Sequence, residues 1–89
     1  MPLVKVTLLF PTSISKEITE TDAHSIQDVI ETLTKQYREV REYFFLDDGQ
    51  FNGATFVTIN EKVFSLIEAA KLPLRDSDRI CFGQVIDGG

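Results

Sequence analysis

Residues 25–37 carry the one sustained helical period in this chain, and they lie between stretches that alternate like strands. Ile26, Val29, Ile30, Leu33 and Tyr37 fall on one side of the predicted helix, with Gln27, Glu31, Lys35 and Arg38 on the other. A single apolar stripe of about three to four turns has to be buried against something. Strands flank it on both sides, so a layer of helix on sheet is expected. Ser25 opens the helix, and Asp28 three residues on resembles a capping box with a shorter acid than the preferred glutamate. Val40, Tyr43 and Phe44 either continue the helix after a kink or form a short second one.

Before the helix, residues 3–10 alternate, with Val4, Val6, Leu8 and Phe10 pointing one way and Leu3, Lys5, Thr7 and Leu9 the other. Pro11, Thr12 and Ser13 break that strand. Residues 14–21 read as a second strand by their β-branched content, which makes an N-terminal hairpin. After the helix, Asp47, Asp48 and Gly49 form a turn. Residues 54–60 make a third strand, and a turn at Asn60 and Glu61 leads to a short Val63–Phe64 segment. Residues 65–70 support no more than a turn of helix, which Pro73 ends. Asp76, Ser77 and Asp78 turn the chain into a last strand, 79–82, with Ile80 and Phe82 inward and Cys81 outward. The helix stripe is expected to pack on Val4, Val6, Leu8, Val57, Ile59 and Ile80.

At 89 residues the chain has room for one compact domain. Its 43 % hydrophobic content and seven phenylalanines supply a core without a metal or disulfide staple. The single Cys81 has no internal partner, which fits a reducing compartment, and the cytoplasm is the expected location. Residues 1–10 form neither a signal peptide nor a membrane span, so no membrane is expected as a partner. A formal charge of −5 and a pI near 4.7 argue against nucleic acid and for an electropositive protein partner. No metal site is expected: His24 has no companion ligand, and neither Asp76 with Asp78 nor Asp47 with Asp48 has calcium-loop spacing. Cys81 reads as a packing residue rather than a sulfur relay. With no glycine-rich phosphate loop and no nucleophile–base pair, the chain is expected to bind no cofactor and to catalyse nothing alone.

The remaining feature is the end, Gly88-Gly89. At ordinary glycine usage two glycines fall there by chance in roughly one chain in two hundred, so a chemical reason is worth seeking. Lacking a Cβ, such an end is thin enough to thread into a narrow tunnel and deliver the Gly89 carboxylate. Once joined to AMP, that carboxylate has a good leaving group and can accept sulfur, a thiol or an amine.

The stretches 4–10, 25–30, 43–49, 56–60 and 74–80, followed by Gly88-Gly89, together resemble the MoaD/ThiS family of ubiquitin-like sulfur carriers. The resemblance implies an α+β β-grasp fold, with a mixed sheet of four to five strands on one main helix. Residues 1–83 would form the domain and 84–89 a flexible tail. It further implies that Gly89 is adenylated by an ATP-using activating enzyme and becomes a thiocarboxylate. That group would donate sulfur within a synthase complex or to another acceptor enzyme, with molybdopterin first by length and thiamin or cysteine synthesis as alternatives. A ubiquitin-like modifier, joined to lysines through Gly89, would use the same activated end. In such a fold the first and last strands are neighbours. Leu9 and Cys81, rimmed by Lys5 and Arg79, would then form a small docking patch, with Val85, Ile86, Asp87 and Gly88 threading into the partner. Gly83-Gln84 in place of prolines, Asp87 before the diglycine and Asn60-Glu61 in place of Asn-Gly depart from the family pattern.

Overall fold

The structure, a computed structural model, describes residues 2–10 and 18–84. The expected break at 11–13, the first part of the expected second strand and the threading tail, Val85 through Gly89, lie outside the described residues.

Alternation produces the first strand as expected, β1 (Leu3–Leu9), and β2 (Ile18–Asp22) pairs antiparallel with it. The helix α1 (Ile26–Gln36) follows, its stripe of Ile26, Val29, Ile30 and Leu33 fully buried and Tyr37 half-buried. Ser25 caps it by accepting the Asp28 backbone N–H at 3.3 Å. The reciprocal half of the cap goes elsewhere, since the Asp28 carboxylate accepts from His24 N–H rather than from Ser25. A shorter acid reaches a different amide.

The undecided stretch after α1 is a 3-10 turn, Arg38–Val40, and then a separate short helix, α2 (Arg41–Phe44). Next comes β3 (Thr55–Ile59), one residue shorter at each end than the expected strand. The Val63–Phe64 segment belongs to a true strand, β4 (Lys62–Ser65), which forms a hairpin with β3. Its two-residue turn places Asn60 at φ 51° and Glu61 at φ 76°, both left-handed. Hydrogen bonds hold Asn60 there: its side chain donates to Asp78 Oδ1 at 2.9 Å and accepts from Arg79 N–H at 2.9 Å. The short helix α3 (Leu66–Ala69) starts from a full capping box between Ser65 and Glu68. Those hydrogen bonds hold the Glu68 carboxyl below its usual range.

The last strand, β5 (Arg79–Gln84), is two residues longer than expected. Gln84, expected in the tail, pairs with Thr55 instead. β5 lies at the centre of a five-stranded sheet of order β2-β1-β5-β3-β4, parallel to β1 and antiparallel to β3. Hairpin, crossing helix and a parallel central last strand make this a β-grasp fold, α+β with a mixed sheet. The core between helix and sheet holds the expected Val4, Val6, Leu8, Val57 and Ile80, with Ile59 only half-buried. Phe10, Phe44 and Phe82 stack edge-on through its middle, with Phe10–Phe44 centroids 5.4 Å apart and Phe44–Phe82 4.9 Å.

Candidate functional site

Because strands alternate, the sheet face away from α1 carries every other residue of each strand. Register sorts those residues into rows. Lys5 on β1 lies directly opposite Arg79 on β5, with Glu20 on the far side of Lys5. The next row runs Thr7, Cys81, Thr58 and Val63 across four strands. A third row runs Leu9, Gly83, Phe56 and Ser65. Since β1 and β5 run parallel, this third row sits at the end where the chain leaves β5 toward the tail.

Lys5, Leu9, Cys81 and Arg79 therefore share one face, as the sequence led us to expect. Their spacing differs. Leu9 stands opposite Gly83, not Cys81, whose neighbours are Thr7 and Thr58. The patch consequently splits into a charged end at Lys5 and Arg79 and an apolar end at Leu9. Leu9 is 48 % exposed and Val63 66 %, so neither contributes to the core.

Phe56 is the residue that sequence reasoning missed. A Cβ built on Gly83 would lie 2.8 Å from Phe56 Cζ, so the ring lies across the bare backbone of β5 beside the tail exit. Alternation in β3 already turned Phe56 away from the helix. That it would cover a glycine could be known only from the β3–β5 register.

Between the charged and middle rows lies an open depression of about 260 Å³, lined by Lys5, Thr7, Thr58, Glu61, Arg79 and Cys81. Burial pushes the Cys81 thiol above its ordinary pKa, and a hydrogen bond with Thr58 offsets part of the shift. The protonated form is a weak nucleophile. Among the described residues, no cluster of three or more His, Cys, Asp or Glu is placed to hold a metal ion. None of the described helices is long and apolar enough to cross a membrane.

Comparison with known proteins adds the family. Residues 6–89 match the family described as Urm1 (Ubiquitin related modifier). This bears out the ubiquitin-like group expected from the sequence, without singling out MoaD/ThiS or a tie to molybdopterin. No curated protein matches the sequence. Several solved structures share the fold, two archaeal ones among them. The crystal structure of SAMP1 from Haloferax volcanii superposes with a TM-score of 0.80 at 16 % identity, covering 98 % of this chain and 99 % of that one. The solution structure of the small archaeal modifier protein 1 from Methanosarcina acetivorans gives 0.78 at 22 % identity, covering 100 % and 98 %.

Proposed function

Because this chain belongs to the Urm1 family of ubiquitin related modifiers, we propose that it is a carrier whose Gly89 carboxylate is activated by a partner enzyme and loaded with sulfur. A carboxylate oxygen of Gly89 attacks the α-phosphate of ATP held by that enzyme, and pyrophosphate leaves. Hydrosulfide, or a sulfur donor equivalent to it, then attacks the acyl carbon and displaces AMP, so that the chain ends in a thiocarboxylate. That sulfur passes to a biosynthetic acceptor on a second enzyme. The chain itself is substrate throughout and catalyses neither step.

The observation that carries this reading is the path of β5. It is hydrogen-bonded on both sides by β1 and β3 as far as its last residues, and it ends at Gln84. Residues 85–89 span at most about 18 Å when extended. The enzyme that takes Gly89 must therefore come close to this end of the sheet. Leu9 and Phe56 stand at that end and supply an apolar contact, while Lys5 and Arg79 lie at the opposite, charged end of the same face. Val85, Ile86, Asp87 and Gly88 thread into the enzyme's tunnel, where Asp87 meets a basic or hydrogen-bonding group.

Removal of Gly88-Gly89 tests the reading. It should abolish ATP–pyrophosphate exchange with the activating enzyme while changing stability by less than about 0.5 kcal/mol. Continued exchange by the truncated chain rejects the proposal. The family's description as a modifier supports a second reading, in which a lysine amine rather than sulfur displaces AMP. A sulfur-for-oxygen mass gain on the free chain marks the carrier; a ladder of conjugates on a denaturing gel marks the modifier.

A further inference from the structure

The segment after α2 is an apolar ridge with no part in the sheet face described above. Leu46 is 47 % exposed, and beside it Phe45 stacks on Phe51 with centroids 5.5 Å apart. The Arg41 guanidinium sits 5.5 Å over the Phe45 ring. Backbone hydrogen bonds fix the ridge: Leu46 N–H donates to Gln50 C=O at 2.7 Å and Asn52 N–H to Phe44 C=O at 2.9 Å. Gly49 makes its turn at φ 88°.

Phe45 and Leu46 stand between two open depressions. One, of about 480 Å³, is lined also by Arg38, Glu39, Arg41, Glu42 and Asp47. The other, of about 450 Å³, is lined also by Glu42, Asp47 and Asp48, three carboxylates with no cation among them. These carboxylates do not converge on a point that would hold a metal ion. Spread around an apolar ridge, they fit a protein surface in which Lys or Arg side chains flank an apolar groove.

Position selects the partner. Asn52 C=O accepts the Thr55 N–H at 3.2 Å, the Thr55 hydroxyl donates to Tyr43 C=O, and Thr55 pairs with Gln84 in the sheet. The ridge is thus rooted on the strand neighbour of the residue from which the tail departs. With at most about 18 Å of chain left to Gly89, an enzyme holding that carboxylate in a closed catalytic centre must cover this end of the domain.

We infer that the Phe45–Leu46 ridge, with Glu42, Asp47 and Asp48, is a second docking contact for the tail-activating enzyme, seated in an apolar groove that Lys or Arg side chains flank. This rests on the reading that Gly89 is adenylated. The test is ATP–pyrophosphate exchange by the adenylating enzyme of the same organism, with the full chain as substrate and KM and kcat read separately. Leu46→Ala should raise KM for the chain at least tenfold with kcat unchanged. Joint substitution Glu42→Gln, Asp47→Asn and Asp48→Asn should flatten the salt dependence of KM, because screened charge pairs are then missing. Asp48→Asn keeps the oxygen that accepts Gln50 N–H, so the turn survives. Glu31→Gln, an exposed charge change on α1, should leave the salt dependence as in the wild type. A KM for Leu46→Ala within twofold of the wild type, or a salt slope for the neutralised chain equal to that of Glu31→Gln, overturns the inference alone. Self-association that Leu46→Asp abolishes, with KM unmoved, assigns the ridge to a second copy and overturns it too. A wild-type chain that supports no exchange sinks the adenylation reading and this inference with it.

Discussion

Replacing Gly83 by alanine probes the register on which the proposed docking face depends. The added Cβ would lie 2.8 Å from Phe56 Cζ, 3.3 Å from Cε2 and 3.4 Å from Cε1, so the ring must retreat by about 0.6 Å or swing away. Overpacking of this kind costs about 1 to 3 kcal/mol. Alanine in place of a strand glycine recovers about 0.5 to 1 kcal/mol of backbone entropy. The two effects oppose, and the expected net result is a loss of up to about 2.5 kcal/mol. In a Phe56→Ala background the ring is gone and only the entropic gain remains, so the same substitution should stabilise by about 0.5 to 1 kcal/mol. The sign reverses. Urea titration of the four chains of this cycle, with equal slopes as the check on two-state behaviour, gives the coupling directly. If Gly83→Ala costs the same with and without the Phe56 ring, the ring does not cover β5, and the apolar end of the face is wrongly assigned.

Leu33 is fully buried, so Leu33→Ala should cost about 2 to 5 kcal/mol in denaturant titration; a loss under about 0.5 kcal/mol contradicts the helix-on-sheet packing. Leu9→Glu puts a charge at the exposed apolar end and should weaken binding of the activating enzyme at least tenfold, about 1.4 kcal/mol, with the melting temperature kept. Unchanged affinity by calorimetry would move recognition off the sheet face. Burial raises the Cys81 pKa, so at a given alkaline pH less of it is thiolate than of a free cysteine. Iodoacetamide should therefore alkylate it more slowly than free cysteine, and denaturant should remove the difference. Equal rates in the folded state would contradict the half-buried placement.

The sequence by itself determined the layers. A 3.6-residue period at 26–37 and a two-residue period at 3–10 each specify which side of an element is apolar, because side-chain direction follows from local backbone geometry alone. The inward positions Val4, Val6, Leu8, Val57, Ile80 and Phe82 were legible for that reason. Features that pair distant residues were not legible. Leu9 faces Gly83 rather than Cys81, and β5 continues to Gln84 because Thr55 is there to pair with it. Asn60 and Glu61 turn without a glycine because Asp78 and Arg79, 18 and 19 residues beyond Asn60, hold the Asn60 side chain. In each case the deciding hydrogen bond or contact joins residues far apart in the chain. Only the closing of the sheet brought them together.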